Sequence, residues 1–182
     1  MPIKPSAEDL ADALNRTVPD ILAPDLKVLF CGINPGIYSG ATRLHFARPG
    51  NRFWKALHLS GFTERQLDPS EGLELLKVGC GLTCIVERTT ARADEITREE
   101  FVEGGKLLEK KLEKYKPEFL AMLGLGAYRT AFAKPKAKIG LQDETIGNTK
   151  IWLLPNPSGL NANHQLPDLA RLFAELRTGA EA

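Results

Sequence analysis

Cysteine is scarce in this chain, with Cys31, Cys80 and Cys84 the only three among 182 residues. Cys31 falls inside an apolar run that reads as a buried strand, which argues against a disulfide framework and for reduced thiols. Cys80 and Cys84 stand alone, without the further soft ligands that a zinc or iron–sulfur site requires, so no metal is expected. Long apolar runs are missing too, and none reaches the length of a membrane span. Glu8, Asp9 and Asp12 interrupt the N-terminal stretch where a signal peptide would need an apolar core, so a cytoplasmic protein is expected. The chain has neither a Gly-x-Gly-x-x-Gly nor a Walker phosphate pattern, and no cofactor is expected.

The most informative scarcity is of negative charge. No acidic residue lies between Asp25 and Glu64, where Lys27, Arg43, Arg48, Arg52 and Lys55 accompany His45 and His58. None lies between Glu144 and Asp168 either. A net charge of +1 therefore hides two acid-free stretches, a distribution suited to facing a polyanion.

What is present is a globular composition, 43% hydrophobic and 26% charged, in a length that fits one domain spanning 1–182. Residues 1–20 read as an N-terminal helical extension. Ser6 is a candidate N-cap, and Leu10, Ala13, Leu14 and Val18 follow at helical spacing up to Pro19. Lys27-Val28-Leu29-Phe30-Cys31 then reads as a buried strand running into Gly32-Ile33-Asn34-Pro35-Gly36, a tight loop because glycine opens backbone angles and proline fixes its own. Ile151-Trp152-Leu153-Leu154 runs in the same manner into Pro155-Asn156-Pro157-Ser158-Gly159-Leu160. In open parallel sheets ligands bind beyond the carboxyl ends of the strands, so the two Asn-Pro loops are expected to form one crevice.

Between these ends the sequence predicts a long connection from Tyr38 to Gly50 and a helix from Asn51 to Leu59. A short helix over 70–77, a strand over 81–86 and a loop over 87–95 follow. Thr97 and Glu100 form a capping box that opens a helix lasting until Pro117. A strand over 118–123, a helix ending near Pro135, a turn at Gly147-Asn148 into the last strand, and a helix over 167–177 complete the chain. Strands alternating with helices define an α/β class, a three-layer αβα sandwich with a central, mostly parallel β-sheet.

Gly32-Ile33-Asn34-Pro35-Gly36, Asn51-Arg52-Phe53-Trp54 and Asn156-Pro157-Ser158-Gly159-Leu160, in that order, resemble the mismatch-specific uracil-DNA glycosylases, bacterial relatives of thymine-DNA glycosylase. The resemblance extends from Ile21 to Arg177 and includes Phe46-Ala47-Arg48-Pro49. It implies a monofunctional DNA glycosylase that flips uracil from double-stranded DNA, especially opposite guanine, and hydrolyses its N-glycosidic bond. A monomer is expected.

The resemblance implies roles as well. Asn34 would position the attacking water, Gly32 and Ile33 would help hold the base, Phe46 would stack on it, and Ser39 would stand near the pyrimidine C5. Asn156 takes the place of a histidine found in more distant glycosylases of this fold. Leu160 corresponds to the wedge pushed into the base stack, Gly159 permits close backbone approach, and Ser158 suits a flanking phosphate. Relatives often carry arginine where this chain has Ala162, which leaves Asn161 or Asn163 as contacts for the orphaned guanine.

An amide cannot accept a proton, so Asn34 can orient water but not deprotonate it, whereas glycoside chemistry usually employs a carboxylate. Asp94, in the loop after a strand, is the candidate to supply that charge, against the plainer reading of a solvated loop acid. The alternative functions are hydrolysis of free nucleosides or another damaged base, and a non-catalytic module that recognises damaged DNA.

Overall fold

A computed structural model describes residues 4–182. Four strands, β1 (Val28–Gly32), β2 (Cys80–Cys84), β3 (Phe119–Leu123) and β5 (Thr149–Leu154), run parallel, and β4 (Gly140–Ile146) pairs antiparallel to β5 at the edge. The order is β2-β1-β3-β5-β4. Strands β1, β2 and β3 are buried at every position, which is why β1 and β3 read as apolar runs rather than alternating ones, while β2 carries one buried polar residue, Thr83, that donates to Asp20.

Alternation survives in where the side chains point. Val28 and Phe30 enter one core with α3 (Phe53–Leu59) and α6 (Leu166–Glu181), while Leu29 and Cys31 enter the other with α4 (Arg98–Tyr115) and α5 (Leu125–Ala131). The first core is aromatic: Phe30 meets Phe53 edge-on and stacks with Phe173 at 5.9 Å between centroids. These layers are the sandwich expected from the sequence. All three cysteines are free and buried. Among the described residues no helix is long and apolar enough to cross a membrane.

Local signals explain most boundaries. Thr97 accepts from the Glu100 amide at 3.2 Å while the Glu100 carboxylate accepts from the Thr97 amide at 2.9 Å, a reciprocal cap that stabilises the start of α4 by about 1 kcal/mol. Asn51 Oδ1 accepts from the Phe53 amide at 2.9 Å and so caps α3 from one residue before its N-cap. The short helix expected over 70–77 is a 3₁₀ segment, Pro69–Val78, opened by an Asp68–Glu71 capping box.

Three elements depart from expectation. The first helix, α1 (Ala7–Ala11), has the predicted Ser6 cap but stops well before Pro19. Asn15 turns the chain into the left-handed region at φ 62°, and Thr17 then bridges antiparallel to Arg88. Part of the Tyr38–Gly50 connection is a helix, α2 (Ile37–Thr42), whose Gly40 packs so closely on Thr89 that a Cβ would stand 2.3 Å from Oγ1. Strand β4 forms a two-residue hairpin with β5 through Gly147, at φ 58°, and Asn148. Its alternating exposure and polar Gln142, Asp143 and Glu144 suit an edge, and it has no buried run to announce it.

Candidate active site

Strands β2 and β3 flank β1 on opposite sides, so loops leaving β1 and β3 diverge, and a cleft opens above their carboxyl ends. Its volume is about 710 Å³. The first loop contributes Gly32, Ile33 and Asn34, the connection after it Ser39 and Phe46, the loop beyond β2 Thr90 and Asp94, and the second Asn-Pro loop Asn156, Ser158 and Leu160. The two Asn-Pro loops thus share one crevice. Gly159 and Asn161 stand behind the lining rather than in it.

Asn34 is held by its amide nitrogen. Nδ2 donates to the carbonyls of Pro35 at 3.1 Å and Arg88 at 3.0 Å, and to Thr90 Oγ1 at 2.8 Å. Thr90 Oγ1 in turn donates to the Arg92 carbonyl at 2.8 Å, so it must accept from Asn34. Backbone carbonyls only accept, and this fixes which end of the amide is nitrogen. Oδ1 is therefore the atom through which Asn34 can receive a hydrogen bond from a water.

Asn156 has the opposite polarity. Its Oδ1 accepts from the Ser158 amide at 3.0 Å, leaving Nδ2 as the donor available to a ligand. A carbonyl oxygen on the first loop and an amide N–H on the second suit the two ends of a hydrolysis, one orienting water and the other stabilising negative charge on a departing base.

Phe46 carries a backbone φ of 51°, unusual for a bulky residue. That conformation lays its ring on Phe53 at 4.2 Å between centroids and 23° between planes, leaving the half-buried ring to line the cleft with its other side. Gly32 belongs to the same packing, since a Cβ there would lie 3.3 Å from the Phe46 ring. Ser39 is buried, and its Oγ accepts from the Ala47 amide at 3.2 Å, tying α2 to the Phe46 segment. Beneath lies His45, whose Nε2 meets the Pro19 carbonyl at 2.9 Å, and burial lowers its pKa so that it is neutral at physiological pH. Burial likewise pushes the Cys84 thiol up to about 12, which makes it an inert part of the floor.

The second loop is built on Arg52. Its guanidinium donates to the carbonyls of Pro157 at 3.3 Å, Ser158 at 2.6 Å, Asn161 at 3.1 Å and His164 at 2.5 Å. The acid-free stretch suggested a cation facing a polyanion, but the structure spends Arg52 inside the protein. Its position before Phe53 on α3 is the only hint the sequence offers. By contrast, Arg48 lines the cleft, and among the described residues neither it nor Arg43 nor Lys55 has a carboxylate in ion-pair range.

Leu160 is 78% exposed at the tip of that loop, an apolar side chain held out to solvent. Its amide donates to Ser158 Oγ at 3.2 Å. Gly159 does serve a close approach, with the backbone of Gly50, whose oxygen would lie 2.8 Å from a Cβ. Asn161 is tied into the loop, its Nδ2 donating to the Asn156 carbonyl at 3.0 Å and its Oδ1 accepting from the Asn163 amide at 3.1 Å.

Asp94 lies on the rim, exposed, and is the one carboxylate among the residues lining the cleft. Arg92 pairs with it through Nε at 2.9 Å and through Nη2, and this contact holds its carboxyl below the ordinary 3.8. It is therefore ionised at neutral pH.

The fold is thus an α/β sandwich with a cleft between two Asn-Pro loops and an apolar tip beside it. Residues 19–177 match the family described as the Uracil DNA glycosylase superfamily, and the chain belongs to that superfamily. Its members are DNA glycosylases, hydrolases that act on DNA. The fold is shared with the solution NMR structure of a Methanosarcina acetivorans protein described as a candidate uracil DNA glycosylase. The two are 18% identical, the alignment covers 90% of this chain and 99% of that one, and the TM-score is 0.61.

Proposed function

We propose that this chain is a monofunctional, monomeric, mismatch-specific uracil-DNA glycosylase. It rotates uracil out of duplex DNA, with uracil opposite guanine preferred, and hydrolyses the bond to deoxyribose. The observation that carries this reading is the pairing of Asn34 Oδ1 and Asn156 Nδ2 in one cleft, each fixed by a hydrogen bond at the other end of its amide. Phe46 offers the flipped base a face to stack on, Ile33 and Gly32 shape the pocket beside it, and Ser39 limits space near C5. Leu160 enters the stack vacated by the base, and the apolar insertion offsets part of the unstacking cost. Arg48, Arg43 and Lys55 face the phosphates, and Ser158 stands beside them.

Water placed by Asn34 attacks the anomeric carbon as the bond to uracil breaks and the electron pair leaves with the base. Positive charge develops on the sugar, and the Asp94 carboxylate favours it and accepts the water's proton as a base. Alanine at Asp94 is expected to slow single-turnover excision about tenfold at neutral pH without weakening duplex binding. Wild-type rates in that variant would return Asp94 to the role of a solvated rim acid.

The reading is tested by single-turnover release of base from uracil opposite guanine, uracil opposite adenine, thymine opposite guanine, single-stranded uracil and free deoxyuridine. Fastest release from the uracil–guanine duplex is expected. Action on deoxyuridine alone would indicate a nucleoside hydrolase, and duplex binding without release would indicate a recognition module.

A further inference from the structure

Residues 4–18 precede the segment that matches the superfamily, yet Leu10 and Val18 line the cleft. The structure assigns this N-terminal arm a positioning role in the site: it holds Arg88-Thr89-Thr90, the segment whose acceptors set the orientation of the Asn34 amide. The assignment rests on the proposal that Asn34 orients the water.

The geometry begins at Asn15. Its left-handed backbone redirects the chain after α1 has ended and aims its amide at the Thr89 carbonyl, 3.1 Å away. Asparagine tolerates that conformation better than most residues. The Arg16 carbonyl then accepts from the Thr89 amide at 2.9 Å and from Thr89 Oγ1 at 2.8 Å. Every polar group of Thr89, a fully buried residue, is thus satisfied by two consecutive residues of the arm.

The residues on either side of Thr89 face the other way. The Arg88 carbonyl and Thr90 Oγ1 both accept from Asn34 Nδ2, and the Thr90 amide donates to the Pro35 carbonyl at 3.2 Å. Arg88 is also anchored by its side chain, through Nε to Glu100 at 2.5 Å. The segment is therefore clamped between the arm on one edge and the Asn34 loop on the other. Gly40, in close contact with Thr89, prevents it from sliding toward α2. Further along, Pro19 accepts from His45, and Lys111 binds Asp20 at 2.6 Å, so the arm is fixed at its far end too.

A device of this kind acts on the bond-breaking step rather than on affinity, because the arm touches the machinery that places water. Two variants of the full-length chain test it. Thr89→Val removes one hydrogen bond at nearly constant shape and is expected to slow single-turnover excision about fivefold. Ala13→Glu puts a charge where the arm is completely buried, lifts the arm, and is expected to slow excision at least about tenfold. Affinity for a uracil-containing duplex is expected to stay within about twofold of wild type, because the phosphate-facing residues are untouched.

The second readout is the side-chain NH₂ signal of Asn34 in a ¹⁵N NMR spectrum, assigned by its loss in Asn34→Ala. Both variants are expected to move it while thermal melts show a folded protein. A stationary signal, whether or not the rate falls, overturns the assignment, as does a rate loss matched by an equal loss of affinity. If wild-type protein releases no uracil, the glycosylase reading fails, and the signal still reports whether the arm sets the Asn34 amide.

Discussion

Replacing Asn34 by alanine is expected to lower single-turnover uracil excision by about a hundredfold or more, with duplex binding retained. The magnitude follows from what the side chain can and cannot do. An amide takes no proton, so its contribution is placement, and placement is lost entirely when Oδ1 is removed. Little binding energy is at stake, because Nδ2 is already committed to Pro35, Arg88 and Thr90 within the protein. Aspartate is the informative companion. It would present an anion to two backbone carbonyls that can only repel it, so Asn34→Asp is expected to lose activity rather than gain a base. Undiminished excision by Asn34→Ala would move the site assignment elsewhere in the cleft.

The second large effect belongs to Arg52. Arg52→Met keeps most of the stem but leaves the carbonyls of Pro157, Ser158, Asn161 and His164 without their donor. The loop is partly open to water, so the cost is less than the sum of four charge-assisted bonds, and about 3 kcal/mol is expected. For a chain of this size that lowers Tm by roughly 8 °C. Lysine should not rescue it, because a compact ammonium cannot span four carbonyls arranged around a planar fork. Excision from duplex DNA should fall further than stability alone explains, since the loop carries Leu160, while uracil in single strands, which needs no wedge, should suffer less. A melting temperature within about 2 °C of wild type would show that water replaces the guanidinium and that Arg52 is dispensable to the loop.

Arg52 also shows what the sequence conceals. A cation in an acid-free stretch looks the same whether it faces phosphates, as proposed for Arg48, or is consumed by backbone oxygens 105 to 112 residues away. The strands β1 and β3 were legible because burial on both faces leaves apolar runs, β2 and β5 by the shorter apolar stretches they contain, and α4 because Thr97 and Glu100 sign its start. Strand β4 was not, since its half-buried face and its acids resemble a loop. The first helix was read too long because Ala13, Leu14 and Val18 keep a helical period although the helix ends at Ala11 and Asn15 is left-handed. The cleft itself was foreseeable from two Asn-Pro loops at strand ends, and nine of the eleven candidate residues line it. Thr89 and Thr90 were invisible, because a segment with no period gives no sign that its hydroxyls and carbonyls will be shared between two distant loops.

The pairing of β3 with β5 has a consequence in time. Asn34 and its acceptors are complete once β1, β2 and the segment after β2 have assembled, all from the first half of the chain. Leu160 follows β5, which can join the sheet only by aligning Leu123 with Leu154 beside β3. During synthesis, therefore, the loop that would place the water can take shape before Asn156 and Leu160 exist. A nascent or truncated chain would hold a water-placing loop with no means of extracting a base from paired DNA. On the proposed function, the protein would become able to act on a duplex only when its last parallel strand docks.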